Sequence, residues 1–384
     1  MNLRAYVSNS MELNKYFETN EHCKASETQK LLGLQWNTVH DTIFIRLPDQ
    51  PTSDIRWTKR KVLKCIASIY DPLGLLSSTV LIGKLFLQSL WKIELSWDEL
   101  IPAEYVANWK RITSSCNSLG LCVPRRLFDE DENIEVEYDL HVFTDASAAV
   151  YCASAYIVRR RINGSSSASL IMSKSRLAPL NHAITIPRFE LAAMMIGSKL
   201  LTFVVQNIEV HVSRNFLWTD SSVALTWIRC NNDLPISVKD RVKVILKNMV
   251  DVNVRHIPES LNPADIGSRG ATSQELLQLT SWWKGPDFLT SDEDSWPGDL
   301  FLQNQHYGDK PGTARDELPQ DSANYCFPAP TTETTVLEAS KFSSWKKMVN
   351  TMVNVLLSIT KKCRSARKYF GTFKTTHIWK AEII

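Results

Sequence analysis

The stretch Leu140-His-Val-Phe-Thr-Asp-Ala-Ser147 (LHVFTDAS) decides the fold, because it predicts a core strand that ends on an acid. Its first five residues are dominated by apolar and β-branched side chains, which is typical of a buried strand. Upstream, Ile134, Val136 and Tyr138 alternate with acidic residues and indicate that extended structure begins earlier. The strand therefore delivers the carboxyl group of Asp145 to the edge of a sheet.

Further strands and helices are predicted downstream of this stretch. Their hydrophobic periodicity changes between about two and about 3.6 residues, with polar or Pro-containing breaks between them. The predicted strands are 150–158, 170–174, 216–219 and 252–257, and the predicted helices are 187–205, 221–230, 237–250 and one that begins at 263. This order predicts an α/β fold, a mixed sheet with helices on its faces.

Four carboxylates lie where a predicted strand ends or a predicted helix begins. Asp145 and Asp220 follow strands, whereas Glu190 and Asp265 lie in the first turns of helices. One acid in such a place has an ordinary structural explanation, because acids favour the first turn of a helix and Asp is a common turn residue. Four in this order indicate a site, and neighbouring strands would bring all four to one edge of the sheet.

A cluster of four carboxylates points to a divalent cation. Like charges raise one another's pKa, so the cluster does not remain ionised without a counter-charge. Hard oxygen ligands suit Mg²⁺ or Mn²⁺, and two such ions about 4 Å apart assist an in-line phosphoryl displacement. We therefore predict that Asp145, Glu190, Asp220 and Asp265 are both the catalytic residues and the ligands of two ions.

The segment before the sheet predicts a hairpin and a small helical unit. Leu31–Trp36 and Asp41–Leu47 are strand-like runs joined by a turn, and residues 1–50 are too few to complete a domain. Residues 58–118 predict three helices with a basic end. The first begins at the Thr58 cap, the second covers about Leu76–Ile93, and the third runs from the Ser96–Glu99 capping box to about Asn117.

The composition is that of an ordinary globular protein without a global polyanion signature. The 384 residues have a formal net charge of +3, so a nucleic-acid site would have to be a local patch. None of the eight cysteines forms a CxxC pair, which favours reduced core thiols in a reducing compartment. The start of the chain lacks an apolar signal core, and the apolar runs fall short of a membrane span, so we expect a soluble protein.

The pattern weakens after residue 270. Residues 271–340 begin with a Trp-rich, acidic stretch, Ser281–Pro297, and continue with polar, Gly and Pro residues, which together predict a connecting segment. Helical periodicity returns within 341–384, where no further domain is completed.

Residues 139–270 resemble an RNase H domain of the kind found in retrotransposon Pol polyproteins. The resemblance rests on FTDAS, RFEL, WTDSS and HIPESLNPADIGSR, which contain the four acids. More narrowly, LLGLQW, KRKVLKCIASIYDPLGLLSS, LQSLWKIELSWDE, SRLAPLNHAITIPRFEL and WWKGPDFL resemble the BEL/Pao class of LTR retrotransposons, a class that also carries a peptidase label.

The resemblance implies a fold, a reaction and partners. It implies an RNase H-like mixed five-stranded sheet over 134–270, preceded by a helical thumb- or connection-like unit at 58–118. Residues 1–50 would be the end of a reverse-transcriptase palm, and 341–384 would lead toward an integrase, so we expect a fragment of a longer Pol chain. The implied reaction is two-metal hydrolysis of the RNA strand of RNA/DNA hybrids. The implied location is the cytoplasm, where the protein could also be part of intracellular virus-like particles.

Basic and hydroxyl side chains near the acids are candidates for contacts with the hybrid, whose shape and 2′-hydroxyls would be recognised. They are Arg159, Arg160, Arg161, Lys174, Arg176, Arg188, Ser147 and Ser222. Basic stretches are more often solvated surface, so this prediction depends on the RNase H hypothesis. Many RNases H carry a loop histidine before the last acid, but His256 lies in a predicted strand and is interpreted as structural.

Two alternatives to an active nuclease remain open. The chain lacks a Tyr-x-Asp-Asp polymerase motif, which is compatible with an inactive retroelement remnant or a hybrid-binding module. A retroviral-type aspartic peptidase needs Asp-Thr/Ser-Gly, in which the glycine exposes the acid to its dyad partner. The nearest strings, Asp145-Ala146-Ser147 and Asp220-Ser221-Ser222, lack that glycine.

Overall fold

A computed structural model describes the chain in segments. The described residues are 7–20, 22, 26–48, 56–115, 120–128, 135–161, 166–180, 184–229 and 234–298. All of them belong to one compact unit, Met1–Asp309. The predicted segment 341–384 and the part of the predicted connecting segment beyond 298 lie outside the described residues.

The strands form two sheets, and the helices lie before, between and after the strands along the chain. The helices are α1 (Met11–Asn20), α2 (Lys59–Ala67), α3 (Ser77–Lys92), α4 (Ala103–Ser115), α5 (Ile186–Asn207), α6 (Ser222–Arg229), α7 (Ile236–Asn248), α8 (Ala264–Arg269), α9 (Ser273–Gln278) and α10 (Thr280–Lys284). The strands are β1 (Thr28–Leu31), β2 (Leu34–Asn37), β3 (Thr42–Ile45), β4 (Leu121–Pro124), β5 (Val136–Ala146), β6 (Val150–Arg161), β7 (Ser167–Leu177), β8 (Val212–Thr219) and β9 (Val252–His256).

Strands β5 to β9 form the predicted mixed sheet. Its five strands lie in the order β7-β6-β5-β8-β9. The pairs β5–β6 and β6–β7 are antiparallel, whereas β5–β8 and β8–β9 are parallel. The α/β fold predicted from the sequence, a mixed five-stranded sheet with flanking helices, is confirmed. Because β5 is the central strand, every residue from Asp139 to Ala146 is buried.

Each face of this sheet is covered by its own hydrophobic core. We call the face covered by α5, α6 and α7 the inner face, where Leu140, Val142 and Leu217 meet Met194 and Leu225. On the outer face, aromatic residues of the sheet meet the start of α3, the helices after β9 and a small four-stranded sheet, β1-β2-β3-β4. The predicted hairpin belongs to this small sheet, as the antiparallel pair β2–β3.

The helices α2, α3 and α4 have a small core of their own, which includes Trp57, Phe86 and Trp109. The cap predicted at Thr58 is present, since its side chain accepts a hydrogen bond from the Lys61 amide. The third helix differs from the prediction, because α4 begins at Ala103 rather than at Ser96. The Ser96 amide does donate to the Glu99 carboxylate at 2.9 Å. Pro102 cannot donate the next helical hydrogen bond, so the helix starts only after it.

The structure also differs from the sequence prediction after residue 270. Residues 271–298 do not form a connecting segment but pack across the outer face, where Trp282, Leu289 and Trp296 are buried. The indole of Trp282 donates to the carbonyl of Leu75 at 3.0 Å. The short helical turns in this segment contain too few residues to show a clear hydrophobic period. Because acids and prolines separate its buried apolar residues, the sequence pattern does not indicate that they are buried.

Helix α5 is apolar and 22 residues long, enough by length and composition to cross a membrane. In the fold, however, 67% of its most apolar window is buried against the sheet and α7. This burial is typical of the core helix of a globular domain.

Candidate active site

The ends of β5 and β8 bring two aspartates together. These strands are parallel neighbours with Thr144 opposite Thr219, so Asp145 and Asp220 leave the sheet at the same edge. Helix α5 adds Glu190 from its first turns. One carboxylate oxygen from each of Asp145, Glu190 and Asp220 lies within 4.8 Å of the other two.

Two glycines allow helices to approach the strands closely enough to complete this arrangement. A Cβ at Gly197 of α5 would lie 2.4 Å from the side chain of Thr144. A Cβ at Gly267 of α8 would lie 2.3 Å from the sulfur of Cys152. Close packing at these two points holds Glu190 and α8 against the ends of the central strands.

Asp265, the fourth predicted acid, lines the same cavity but stands apart from the other three. The cavity has a volume of about 360 Å³, and Glu259, Ser268 and Arg269 also line it. The guanidinium of Arg269 lies 2.6 Å from the Asp265 carboxylate and 2.7 Å from that of Glu259. The outer carboxylates of the cavity are therefore paired with a cation, whereas Asp145, Glu190 and Asp220 have none in hydrogen-bond contact among the described residues.

Burial and mutual repulsion disfavour the ionised forms of the inner acids. Burial, followed by the charges of Asp220 and Asp145, raises the pKa of Glu190 to about 9. Burial likewise raises the pKa of both Asp145 and Asp220, which interact directly with each other. Burial and the charge of Asp145 also raise the pKa of Asp265.

The donor set fits a divalent cation. Glu190 accepts one hydrogen bond, from the Ala146 amide at 3.3 Å, while its Oε2 is buried without a hydrogen-bond partner. Such a buried oxygen is costly unless something positive or hydrogen-bonding reaches it. Three converging carboxylates that lack a counter-charge are the ligand chemistry of Mg²⁺ or Mn²⁺.

Two residues that orient the acids were not predicted from the sequence. The Asn262 carboxamide donates to Asp220 Oδ2 at 3.2 Å and to the carbonyl of Thr144 at 3.0 Å. The hydroxyl of Ser268 donates to Asp145 Oδ2. Both side chains are buried, and both lie within three residues of Asp265 in NPADIGS. That proximity was the available signal, but Asn and Ser in a loop–helix junction are usually local caps.

The predicted arginine cluster lies far from the acids. Along β6, Cys152 pairs with Asp145, whereas Arg159 pairs with Tyr138. Seven residues of strand separate these positions, or roughly 23 Å at about 3.3 Å per residue. Arg159 and Arg161 instead line a cavity of about 780 Å³ beside the small sheet. The consecutive arginines could not reveal which end of the strand they occupy.

Arg160 has a structural partner rather than a free guanidinium. Its Nε lies 2.6 Å from Asp139, and its other nitrogens donate to the carbonyls of Leu289 and Ser291. The prediction that Arg160 contacts nucleic acid is therefore corrected, because its guanidinium links β5 to the segment that covers the outer face.

The remaining predicted contact residues lie nearer the site. Lys174 and Arg176 are exposed on β7 opposite Ala153 and Tyr151, level with the end of β5. Arg188 is half-buried in the first turn of α5. Ser147 lines the carboxylate cavity, whereas Ser221 rather than Ser222 does so after Asp220. His256 lies in β9, as expected, and its Nε2 is 3.1 Å from the carbonyl of Asp220.

Comparison with known proteins finds one matching family model and several similar solved structures. Residues 58–221 match the family model described as Pao retrotransposon-like RNaseH-like domain, which spans α2 to Asp220 and less than half of the chain. No curated protein is significantly similar in sequence.

Several solved structures are similar to parts of the chain. The N-terminal RNase H domain of Rv2228c from Mycobacterium tuberculosis is 12% identical, with a TM-score of 0.24, over 38% of this chain and 98% of that chain. LC11-RNase H1 in complex with RNA/DNA hybrid is 16% identical, with a TM-score of 0.22, over 36% and 99%. The foamy viral protease-reverse transcriptase in complex with dsDNA is 14% identical, with a TM-score of 0.30, over 62% and 46%.

The family match confirms the resemblance found in the sequence, and it includes three of the four predicted acids together with the helical segment before the sheet. The fold and the acidic triad of Asp145, Glu190 and Asp220 agree with it. Residues 58–221 are therefore similar to the Pao retrotransposon-like RNase H-like domain.

Proposed function

We propose that this protein is a metal-dependent nuclease that hydrolyses the RNA strand of RNA/DNA hybrids as part of a retrotransposon Pol chain. The observation that carries the proposal is the convergence of Asp145, Glu190 and Asp220 within 4.8 Å, with the buried Oε2 of Glu190 unpartnered. A structural cluster of acids would be paired with cations or spread apart. This one is open to a cavity, and no cation among the described residues is in hydrogen-bond contact with its three acids.

In this proposal, some residues would bind the metal ions and others orient the carboxylates that bind them. Asp145, Glu190 and Asp220 would hold Mg²⁺ or Mn²⁺, with Asp265 at the rim. Bound divalent ions supply an activated water and a charge that stabilises the leaving 3′-oxygen. Asn262 and Ser268 each donate a hydrogen bond that restrains the carboxylates of Asp220 and Asp145, respectively.

The hybrid and the Pol context belong to the same proposal. Lys174 and Arg176 lie on β7 level with the end of β5, and Arg188 lies in the first turn of α5. They are our candidates for phosphate contacts, with Ser147 at the cavity. A reverse-transcriptase end within 1–50, an integrase beyond 384 and a cytoplasmic location are expected from the same class of element. The peptidase alternative gains no support from the described site, where Glu190 adds a third carboxylate to the two aspartates.

The test is cleavage of a labelled RNA/DNA hybrid by the full chain. The helical segment and residues 271–298 share the core of the sheet, so a fragment limited to 134–270 would lose part of its packing. We expect cleavage of the RNA strand with Mg²⁺, none with EDTA, and none with Asp220→Asn. Cleavage that survives Asp220→Asn, or a folded wild-type protein that never cleaves, would reject the proposal; hybrid binding without turnover would favour the inactive module.

A further inference from the structure

A pair of exposed tryptophans lies outside the carboxylate site. Trp91 is in the last turn of α3, and Trp97 is in the connection to α4. Their side chains are 45% and 39% exposed, and their ring centroids are 5.1 Å apart with the planes perpendicular. We call these two side chains the indole platform. Burying such large apolar side chains would be favourable, so two of them exposed side by side suggest a binding surface.

The indole platform is held in place before any partner arrives. The carbonyl of Trp97 accepts from the Arg60 amide at 3.2 Å, and the Arg60 guanidinium makes two hydrogen bonds to Asp98, of 2.7 and 2.9 Å. The ammonium of Lys59 lies 4.6 Å from the ring centroid of Trp91. A surface fixed in this way loses little conformational entropy on binding.

Cations cluster at the start of α2, the helix that contacts the platform, in a place where helix stability does not favour them. The first two turns of α2 contain Lys59, Arg60, Lys61 and Lys64, and its first turn has no acid. The dipole of a helix makes cations unfavourable at its N-terminus. Lys59 is buried and Arg60 is paired with Asp98, so the exposed cations of these turns without an ion pair among the described residues are Lys61 and Lys64.

Exposed indoles beside cations match the chemistry of single-stranded nucleic acid. Unpaired bases stack on aromatic rings, while the phosphates between them are neutralised by Lys and Arg. A duplex keeps its bases stacked on one another and presents a base face only at its ends. An acidic peptide would match the charge but would have no comparable use for the indole faces.

Helix α3 places the platform at the carboxylate end of the large sheet. The Gln88 side chain donates to the carbonyl of Ala178 at 2.8 Å, and the Ala178 amide donates to the carbonyl of Ala149 at 2.7 Å. Ala149 is in the turn that follows Asp145 on the chain. Trp91 lies three residues beyond Gln88, about 4.5 Å further along the helix axis. A strand that leaves the carboxylate cavity on this side would meet the indoles.

We propose that the indole platform binds single-stranded nucleic acid that continues from the duplex engaged at the carboxylates. The link to the duplex rests on the proposed nuclease function, but the affinity for a single strand does not. The platform would then anchor an unpaired strand beside the cleavage site and favour hybrids with a single-stranded extension over blunt hybrids.

The first experiment measures binding of the full chain in EDTA, by fluorescence anisotropy. The probes are a labelled 12-nucleotide oligothymidine, a blunt hybrid and the same hybrid with a six-nucleotide extension. We expect Trp91→Ala/Trp97→Ala to weaken binding of the single strand by about tenfold or more, and to abolish the preference for the extended hybrid. The control Tyr16→Ala removes another exposed aromatic, 57% exposed on α1, and should change neither. Unchanged single-strand affinity in a folded double variant overturns the proposal.

A second variant keeps the proposal testable if the tryptophan variant does not fold. Lys61→Gln/Lys64→Gln should lower the slope of log affinity against log salt by about 0.7 per lysine removed. Lys15→Gln/Lys30→Gln, two exposed lysines on α1 and β1, is the matched control and should leave the slope unchanged. An unchanged slope in the first variant also overturns the proposal.

Two further results separate this proposal from its competitors. If Trp91→Ala/Trp97→Ala dissociates a wild-type dimer in sedimentation without changing single-strand affinity, the platform is an interface between copies and the proposal fails. If the wild-type chain binds single strands through the platform but cleaves no hybrid, the proposed nuclease function fails and the platform remains.

Discussion

Strand β5 carries two buried aspartates, six residues apart, in opposite electrostatic settings. Asp139 is fully buried, and its carboxylate lies 2.6 Å from Arg160 and 2.7 Å from Arg214. Burial alone would raise the pKa of Asp139, but the hydrogen bonds and charges of Arg214 and Arg160 outweigh burial and lower it. This carboxylate is neutralised from within the chain.

Asp145, at the other end of the strand, is almost as buried, at 6% exposure, and receives a hydrogen bond from Ser268. Its neighbours are the carboxylates of Asp220 and Glu190, and its pKa is raised by burial first. The difference separates two uses of a buried acid. With two guanidiniums a buried acid joins structural elements. Among other acids and open to a cavity, it is suited to bind a cation from solution.

The largest effect that would sharpen this contrast is on catalysis. Asp145→Asn should lower the rate of hybrid cleavage by about 10³-fold or more, because the carboxylates act as a unit and the loss of one disables the others. The same variant should unfold at a higher temperature than wild type in EDTA, since it relieves repulsion among the acids. Asp139→Asn, on the same strand, should retain cleavage per folded molecule. Equal loss of activity in both folded variants would break the contrast.

Asp139→Asn should instead destabilise the fold. The change leaves Arg160 and Arg214 without their buried counter-charge, and breaking such a pair costs about 3–5 kcal/mol. Urea denaturation of the metal-free protein measures this loss, and the expected change is a lower midpoint at an unchanged slope. A midpoint equal to that of wild type would show that Asp139 does not hold the outer face.

The contrast also explains what the sequence could and could not predict. The sequences LHVFTDAS and FLWTD predict strands that end on acids. The positions of Asp145 and Asp220 at the ends of strands could therefore be predicted from the hydrophobic pattern and the order of the elements. The partners of Arg160 could not be predicted in this way, because one lies on β5 and the others lie near residue 290. A run of three arginines looks like a phosphate site until the register shows which end of the strand it occupies.

The outer face shows the same limit. The acidic, Pro-containing setting of Ser281–Pro297 predicts a connecting segment, yet Trp282 and Trp296 anchor it in the core through contacts with distant strands. Asn262 and Ser268 orient the acids through single hydrogen bonds, which leave no periodic pattern in the sequence. Local signals therefore predicted the strands and the catalytic candidates, and long-range contacts decided the rest.

A smaller effect is expected in the pH dependence of stability. The pKa of Glu190 is raised from its ordinary value of 4.5 to about 9 in the metal-free fold. The folded state therefore retains this proton at pH values where the unfolded chain has lost it, so stability falls as pH rises from about 4.5 toward 9. Glu190→Gln should stabilise the metal-free protein at pH 8 by roughly 1–3 kcal/mol and leave it unchanged near pH 4.

Mg²⁺ should reverse the order of the two proteins at pH 8. The wild-type chain gains stability by binding the ion, whereas Glu190→Gln has lost a ligand and gains less. Thermal melts in EDTA and in Mg²⁺ at both pH values provide the four numbers needed. A wild-type melting temperature that neither falls with pH in EDTA nor rises with Mg²⁺ would mean that the acids are not a cation site.

The smallest expected effect concerns orientation rather than charge. Asn262 links Asp220 Oδ2 to the carbonyl of Thr144, so Asn262→Ala leaves Asp220 in place but free to rotate. Loss of such a supporting hydrogen bond lowers metal affinity by about tenfold, which calorimetric titration with Mn²⁺ would measure. Asn253→Ala, which removes an exposed amide from β9, is the matched control and should bind Mn²⁺ as wild type does. Because Asp139 is held by two charges and Asp220 by a neutral amide, only the second arrangement leaves a carboxylate available to an external cation, and equal affinity in Asn262→Ala would remove that distinction.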